Sequence, residues 1–239
     1  MNQRSRMNLI KQYASDFFYL FSPELCAACS EPLRHGENIL CTMCEVTLPQ
    51  THFHEQTDNP LERHFWGRMQ LARAAALYFF KKGSRVQHLL HQLKYNGRKE
   101  VGFRIGQWYG YKLREREEFT SIDLVVPVPL HPKKQAKRGY NQSDFFAEGI
   151  SSVLKAEWNP RMVRRTKATE TQTRKSRTDR WLNVNEIFEP LNPKVVEGKH
   201  VLLVDDVVTT GATLEACGQS LIDSGAKLSV ATIACALSS

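Results

Sequence analysis

Hydrophobic positions along the chain follow two different periods. Short apolar runs bounded by turn residues predict buried strands, and apolar residues three or four positions apart predict helices. The predicted strands lie in RMQLARAAALYFF, IDLVVPVPLH, KHVLLVDD and KLSVATIACAL, and the predicted helices lie at 86–93, at 103–108, in NQSDFFAEGISSVL and in TLEACGQSLIDSGA. Strands that alternate with helices predict an α/β fold, with a parallel sheet covered by helices on both faces.

The first 58 residues have a different pattern and are predicted to form a separate domain. Apolar residues recur at helical spacing near the N-terminus, which predicts an amphipathic helix that packs on the body: Leu9, Ile10, Tyr13, Phe17, Leu20 and Phe21. The polar stretch 49–58 is predicted to be a linker, and 59–239 the larger domain. Within it, 161–180 is polar and rich in arginine and lysine, so it is either a solvated loop or a mobile basic flap over an anionic ligand.

Charge and hydropathy narrow the class of partner. The chain of 239 residues carries a formal net charge of +8 and has a pI near 9.2, which favours polyanions such as nucleic acid, phosphate or pyrophosphate. No apolar run reaches the roughly 18 residues that span a bilayer, and no signal-peptide pattern is present. We therefore expect a cytoplasmic protein without an integral membrane segment. A peripheral membrane contact through the N-terminal helix stays open.

Four of the six cysteines form two knuckles, Cys26-x2-Cys29 and Cys41-x2-Cys44, with eleven residues between them. Two such pairs can place four thiolates around one tetrahedral Zn²⁺. Two disulfides are the alternative, which a reducing compartment disfavours. A site closed by four sulfurs has no position for water, so the zinc is predicted to be structural. Two further sets of residues are not expected to bind this zinc. Cys217 and Cys235 are expected to be small core residues, and His52, His54 and His64 to be surface residues.

The stretch VLLVDDVVTTGAT carries the chemistry of the larger domain. A buried strand ends in Asp205 and Asp206, and a loop then leads into a helix whose N-terminus can hold a phosphate. The loop consists of Thr209, Thr210, Gly211, Ala212 and Thr213. The paired carboxylates can accept hydrogen bonds from two neighbouring hydroxyls and can help to hold Mg²⁺. A phosphate beside a vicinal diol predicts a ribose 5-phosphate ligand.

This stretch resembles the ribose-phosphate signature of the type I phosphoribosyltransferases, which bind phosphoribosyl pyrophosphate (PRPP) with Mg²⁺. More narrowly, the chain resembles the ComF family, in which such a domain follows a zinc knuckle. The resemblance rests on the four knuckle cysteines, LKYNG at 93–97, VVPVPLHPKKQAKRGYNQS at 125–143 and RTKATETQTRKSRTDRWLNV at 165–184. Together these motifs cover nearly the whole chain.

The resemblance implies roles for further residues. The turn with Leu130 and His131 corresponds to the pyrophosphate loop, and Arg138 lies beside it. Gln172 and Arg180 belong to a flexible hood, at about 161–180, that closes over PRPP. Purine-salvage members carry an acidic residue where this chain has Thr209, so salvage of 6-oxopurines is not expected and the acceptor of the ribose is open.

Two functions therefore follow from the sequence. The first is Mg²⁺-dependent transfer from PRPP to an unidentified acceptor, in a protein that, as the resemblance to the ComF family implies, serves DNA uptake in natural transformation. The alternative is a single-stranded DNA-binding competence factor whose PRPP site is regulatory or vestigial, because Lys133, Lys134 and Lys137 adjoin Tyr140. A weaker third hypothesis gives the zinc domain a scaffold role that recruits a competence helicase or another DNA-uptake protein.

Overall fold

The computed structural model describes residues 23–167 and 186–237. The chain divides into two compact units, Met1–Leu48 and Pro49–Ser239. In the first unit an antiparallel bridge joins Leu25 to Pro32, and a short helix, α1, spans Thr42–Thr47. The predicted N-terminal helix lies outside the described residues.

The second unit alternates strands with helices, as the periodicity predicts. Its strands are β1 (Arg73–Phe79), β2 (Leu124–Pro127), β3 (Glu157–Trp158), β4 (Val163–Lys167), β5 (Glu186–Pro190), β6 (His200–Val208) and β7 (Lys227–Cys235). Its helices are α2 (Pro60–His64), α3 (Arg85–Tyr95), α4 (Lys99–Arg114), α5 (Glu117–Thr120), α6 (Pro132–Arg138), α7 (Gln142–Leu154), α8 (Pro193–Val196) and α9 (Ala212–Ile222), with a 3₁₀ turn at Phe53–Glu55. The basic helix α6 is not predicted by the sequence pattern.

The five-stranded sheet is parallel throughout and has the order β1-β7-β6-β2-β3. The connection from β2 to β3 runs toward one edge of the sheet, and the connection from β6 to β7 runs toward the other. Since such crossovers are right-handed, α7 and α9 cover opposite faces. The predicted α/β fold is confirmed. Between β6 and β2 the order reverses, and ligands of open α/β sheets bind outside the carboxyl ends of the strands at this point.

The centre of the sheet is the apolar core. Residues 201–204 of β6 are completely buried, and β7 is buried from Leu228 to its end at Cys235. Burial on both faces explains why these strands show continuous apolar runs rather than alternation. The core therefore fixes β6 at the position where the paired aspartates follow.

A second, two-stranded sheet joins β4 to β5 in antiparallel register, from Val163 opposite Pro190 to Lys167 opposite Glu186. These strands flank residues 168–185, which lie outside the described part of the chain. Residues 163–167 fall within the predicted hood of 161–180 and form a strand instead of a loop. The polar composition did not predict this strand, because among residues 162–166 only Met162 and Val163 are buried.

The stretch predicted to be a linker, 49–58, contacts β1. The N–H of Thr51 donates to the carbonyl of Leu77 at 3.0 Å, and Gln50 forms an antiparallel bridge to Tyr78. Just beyond it, the side-chain amide of Asn59 donates to the carbonyl of Ala74 at 2.9 Å. Side chains contact the strand as well, since the hydroxyl of Thr51 donates to the carbonyl of Ala76 and the ring centre of Phe53 lies 5.5 Å from that of Phe79.

Helices α4 and α7 pack against each other through glycine. A Cβ on Gly106 would lie 2.3 Å from the carbonyl oxygen of Phe146, and one on Gly149 would lie 2.1 Å from the carbonyl oxygen of Phe103. Only glycine permits backbones to approach this closely, since the obstacles are main-chain atoms that cannot rotate away. This packing holds α7, whose first residues contact the paired aspartates.

Gly149→Ala is expected to lower the free energy of unfolding by about 3 kcal/mol, at the upper end of the usual cost of overpacking a core. Urea denaturation measures the change. Ser152→Ala, an exposed position on the same helix, is the control and is expected to stay within about 0.5 kcal/mol of the wild type. Equal stability of the Gly149→Ala variant and the wild type would contradict the close packing.

Candidate active site and metal centre

Asp205 and Asp206 lie near the carboxyl end of β6 and line one cavity of about 160 Å³. The N–H of Asp206 donates to Oδ1 of Asp205 at 2.8 Å, and the hydroxyl of Ser143 donates to the same oxygen at 3.0 Å. Ser143 is the second residue of α7. The first turn of α7 therefore meets the strand end at the aspartates.

Two side chains donate to Asp206, and the sequence does not predict that either of them lies beside it. Nζ of Lys94 lies 2.9 Å from its Oδ2, and Nε2 of Gln142 donates to the same oxygen at 2.6 Å. Lys94 belongs to α3, more than a hundred residues earlier in the chain. The ammonium and the amide offset the negative charge of a carboxylate that is only 8% exposed.

Gln142 connects the aspartate to the basic side of the cavity. Its Oε1 accepts a hydrogen bond from Nη1 of Arg138 at 2.8 Å while its Nε2 donates to Asp206. These two bonds fix the orientation of the amide, because only the oxygen can accept and only the nitrogen can donate. The guanidinium of Arg138 also lies over the ring of Tyr95, 5.0 Å from its centre.

Burial, together with the neighbouring charge of Asp206, raises the pKa of Asp205 to about 7. The hydrogen bonds from the N–H of Asp206 and from Ser143 oppose this rise, and so does the charge of Lys94. The two carboxylates are therefore not equivalent. Asp206 has a cationic partner in contact, and the ionisation of Asp205 is disfavoured until a ligand supplies hydrogen-bond donors or positive charge.

Asp205→Asn is expected to stabilise the protein at pH 8 and to leave stability unchanged near pH 4. The folded state binds the Asp205 proton more tightly than the unfolded state, in which the pKa is about 3.9. Stability is therefore lost as the pH rises from about 4 to about 7, and the amide removes that loss. Melting temperatures at both pH values measure the effect. A difference between variant and wild type that does not change with pH would contradict it.

The predicted phosphate loop joins β6 to α9. Gly211 precedes α9 in the left-handed conformation, with φ of 76°, and the N–H groups of the first helical turn have no partner within the helix. Thr213, in that first turn, lines the cavity together with the two aspartates. This arrangement suits an anion held by the helix N-terminus.

The outer side of this loop contacts the segment after α2. Nη1 of Arg68 donates to the carbonyl of Thr210 at 3.1 Å, and Nε2 of His64 lies 2.9 Å from the same oxygen. The ring of Phe65 packs against Gly211, where a Cβ would lie 2.8 Å from a ring carbon. His64 is thus part of the loop's surroundings and not simply a surface histidine, and His54 is buried at 3% exposure.

The predicted pyrophosphate loop follows β2, the neighbour of β6. Leu130 lines the cavity with Val128 and Pro129, while His131 is the N-cap of α6 and accepts from the N–H of Lys133 at 3.1 Å. Positive charge reaches the same cavity from two directions. Lys134 and Arg138 lie on α6, and Arg165 lies on β4, where it donates to the carbonyl of Pro129 at 3.4 Å.

The first unit contains the four knuckle cysteines as a cluster. Their sulfur atoms lie within 4.8 Å of one another, and Sγ of Cys29 is 3.7 Å from Sγ of Cys41. All four are free thiols, so the disulfide alternative is not what this structure shows. The cluster could therefore hold a metal ion.

The cysteine geometry fits tetrahedral zinc. Four Zn–S bonds of about 2.3 Å imply sulfur–sulfur distances of about 3.8 Å, close to the spacing of Cys29 and Cys41. Burial opposes ionisation of Cys26, but the N–H groups of Cys41, Ala28 and Cys29 outweigh it and lower its pKa to about 7. Burial raises the pKa of Cys29 and Cys44 in the same cluster, and a bound metal ion would offset this because a coordinating thiol is deprotonated. In the second unit, Asp205 and Asp206 offer hard oxygen atoms of the kind that Mg²⁺ prefers.

Comparison with known proteins agrees with this geometry. Residues 145–238 match the phosphoribosyl transferase domain. The DNA utilization protein YhgH of Escherichia coli (strain K12) is 31% identical over 220 residues, covering 85% of this chain and 93% of that protein. Competence protein ComFC of Bacillus subtilis is 33% identical over 109 residues, covering 46% and 42%, and competence protein F of Haemophilus influenzae is 38% identical over 93 residues, covering 38% and 41%. The chain belongs to the ComF family.

Among solved structures, this ComF-family chain is similar to the glutamine PRPP amidotransferase of B. subtilis. The match covers 60% of this chain and 30% of the amidotransferase chain, with 20% identity and a TM-score of 0.42. A similarity this distant carries no argument about function. No helix in the described part of the ComF-family protein is long and apolar enough to cross a membrane.

The structure of this ComF-family protein brings some of the predicted site residues together. Five of them line the cavity: Leu130, Arg138, Asp205, Asp206 and Thr213. Thr209, Thr210, Gly211 and Ala212 form the loop beside it, and His131 faces the start of α6. Gln172 and Arg180, predicted for the hood, lie outside the described residues. The roles of all these side chains in binding PRPP stay predictions.

The sequence of this ComF-family protein alone does not predict the contacts that Lys94, Gln142 and Arg68 make. Lys94 and Gln142 fall within motifs of the family resemblance, LKYNG and the stretch 125–143, which is the signal that could have found them. Arg68 lies in no such motif, and only the fold shows that it contacts the phosphate loop.

Proposed function

We propose that this ComF-family protein binds PRPP with Mg²⁺ at the carboxyl ends of β6 and β2 and transfers the phosphoribosyl group to an acceptor. One observation carries the proposal. The paired aspartates, the first turn of α9 and four cationic side chains line a single cavity in a chain that matches the phosphoribosyl transferase domain, the cations being Lys94, Lys134, Arg138 and Arg165. Each part of PRPP has a chemically suitable partner there.

The ribose 5-phosphate end is assigned to the acids and the loop. The amide groups of 209–213 and the positive end of α9 suit the 5-phosphate, as helix N-termini do for anions. Asp205 and Asp206 accept hydrogen bonds from the two ribose hydroxyls. Burial, together with the repulsion between the two carboxylates, raises the pKa of Asp205 in the free protein, and the hydroxyls that donate to them offset both effects.

The pyrophosphate end is assigned to the loop after β2 and to α6. In the reaction, the acceptor atom forms a bond to C1 of the ribose while the bond from C1 to the pyrophosphate oxygen breaks. Pyrophosphate leaves with the electron pair, and the acceptor loses a proton to the solvent. Lys134 and Arg138 stabilise the charge that develops on the leaving group, and bound Mg²⁺ would supply further charge neutralisation.

Release of pyrophosphate from PRPP tests the transferase proposal. Purified protein with Mg²⁺ is incubated with PRPP and a panel of nucleobases, nucleotides and single-stranded DNA. Acceptor-dependent release, absent without Mg²⁺, is the expected result. If PRPP binds and no acceptor class releases pyrophosphate, the transferase role is contradicted and a regulatory PRPP site is favoured.

A second candidate function, binding of single-stranded DNA, is favoured by cations stacked on aromatic rings beside the cavity. Nζ of Lys99 lies 5.2 Å from the ring centre of Tyr140 and 5.4 Å from that of Phe145. Tyr95, below Arg138, is 58% exposed. Exposed aromatic rings with nearby positive charge suit unpaired bases and phosphates, and the names of the relatives refer to DNA utilization and competence.

Fluorescence anisotropy with a labelled oligonucleotide tests this second function. The affinity is expected to fall steeply as salt rises, because phosphate contacts release counterions. Absence of binding at low salt would contradict it. In this proposal the protein is cytoplasmic and acts in DNA uptake, with a competence helicase or another uptake protein as partner.

We also propose that the cysteine cluster holds structural zinc. Four sulfur ligands would complete the tetrahedral shell, so the metal would stabilise the first unit and take no part in phosphoribosyl transfer. The scaffold role, in which the zinc domain recruits a competence helicase or another DNA-uptake protein, is then assigned to the first unit.

A further inference from the structure

The carbonyl of Thr210 is held from outside the candidate site. It accepts a hydrogen bond from Nη1 of Arg68 at 3.1 Å. In a trans peptide the C=O and the N–H of the same peptide unit point in opposite directions. Fixing the Thr210 carbonyl toward Arg68 therefore aims the N–H of Gly211 away from Arg68. Nε2 of His64 lies 2.9 Å from the same oxygen and 3.1 Å from Nη1 of Arg68, so Arg68 and His64 together set the orientation of this loop amide.

Packing restricts the same peptide. Gly211 has φ of 76°, and a Cβ there would lie 2.8 Å from the ring of Phe65 and 3.2 Å from Nε2 of His64. The segment 64–68 thus lies directly against the backbone of the phosphate loop. A flip of the Thr210–Gly211 peptide would break the Arg68 contact and turn the carbonyl oxygen toward a bound anion.

Arg68 also offsets an unfavourable charge. Glu215 lies in the first turn of α9, where its carboxylate would repel a phosphate at the helix N-terminus. Nε of Arg68 donates to Oε2 of Glu215 at 3.0 Å, and Nη2 contacts the same oxygen. One guanidinium therefore holds the loop carbonyl and neutralises the acid beside it.

The segment that carries Arg68 is anchored to the sheet. Asn59 caps α2 and donates to the carbonyl of Ala74, and Oε1 of Glu62 accepts from Nε of the buried Arg73 at 2.8 Å. Because β1 is part of the sheet, α2 is held in place independently of the loop. Arg68 lies four residues beyond α2, and its N–H donates to the carbonyl of the fully buried Phe65 at 3.0 Å, so its backbone shares this anchor.

We propose that Arg68 is a positioning residue that orients the phosphate loop for the 5-phosphate of the ligand. This inference rests on the proposed function, since it assumes that the loop binds that phosphate. Arg68 acts through the Thr210 carbonyl and through Glu215 and does not contact the ligand. Its effect is therefore specific to one end of PRPP.

Two probes separate this role from general damage to the fold. Ribose 5-phosphate requires the loop, whereas inorganic pyrophosphate is assigned to the turn after β2 and to α6. In calorimetric titrations with Mg²⁺, Arg68→Ala is expected to bind ribose 5-phosphate about tenfold more weakly, the usual loss for a hydrogen bond to a charged group. Its affinity for pyrophosphate is expected to stay within about twofold of the wild type.

Arg63→Ala is the matched control, because Arg63 lies on α2, carries the same charge and is exposed. It is expected to leave both affinities unchanged. If Arg68→Ala does not fold, Arg68→Lys is measured instead. It keeps the charge but loses the forked geometry, and it is expected to bind ribose 5-phosphate more weakly than the wild type.

Unchanged affinity of the Arg68 variants for ribose 5-phosphate would overturn the inference, and so would an equal loss for both probes. A wild-type protein that binds neither probe contradicts the proposed function itself. Failure of the inference and failure of the function are thus distinguishable.

Discussion

Asp206→Asn is expected to lower the affinity for PRPP about a hundredfold. The amide removes the charged acceptor of a ribose hydroxyl and weakens the hold on Mg²⁺, and loss of charge-assisted bonds of this kind costs about 3 kcal/mol. It also leaves the ammonium of Lys94 without its anionic partner, 2.9 Å away in the wild type. Isothermal titration calorimetry with Mg²⁺ and PRPP measures the change.

Asp223→Asn is the control for this prediction. It makes the same chemical change at an exposed aspartate directly after the end of α9, far along the helix from the phosphate loop. Its affinity is expected to equal that of the wild type. Thermal melts of both variants confirm that they are folded. Wild-type affinity in Asp206→Asn would show that the carboxylate takes no part in binding.

Cys29→Ser is expected to abolish stoichiometric zinc and to unfold the described part of the first unit. The described residues of that unit, 23–48, contain one short helix, α1, and binding energy at structural zinc sites is largely folding energy, about 10 kcal/mol or more. Metal content by mass spectrometry and amide hydrogen exchange of residues 23–48 measure the two effects. Cys217→Ala, at a fully buried cysteine in α9, is the control and is expected to keep its zinc.

Retention of equimolar zinc by Cys29→Ser would contradict the four-sulfur site. PRPP binding offers a second readout. Because the metal is proposed to be structural for the first unit alone, the variant is expected to retain the affinity of the second unit for PRPP. A parallel loss of zinc and of PRPP binding would contradict this separation of the two units.

Local patterns predict a large share of this molecule. The apolar run before Asp205 predicts β6, because a strand buried on both faces needs no alternation. The cysteine spacing predicts the cluster at 26–44, because two knuckles bring four sulfurs together with little help from the rest of the chain. In both cases the chemistry lies within a short stretch of sequence.

The contacts that the sequence does not predict arise from the order of the strands in the sheet. Lys94 and Gln142 contact Asp206 because β2 lies next to β6 and because α3 ends near their carboxyl ends. No spacing in the sequence encodes that neighbourhood. Arg68 is similar, since its partners Thr210 and Glu215 lie 142 and 147 residues further along the chain. The stretch 49–58 is missed for another reason, because polar side chains such as Thr51 are buried there through hydrogen bonds to the sheet, which side-chain polarity alone does not predict.

The central claim is that the cavity between β6 and β2 binds PRPP, and a single calorimetric experiment tests it most directly. Wild-type protein is titrated with PRPP in the presence of Mg²⁺, alongside the double variant Asp205→Asn/Asp206→Asn. Saturable binding of one PRPP per chain is expected for the wild type, and no measurable binding is expected for the double variant. No heat of binding in the wild type, or equal binding by both proteins, would contradict it.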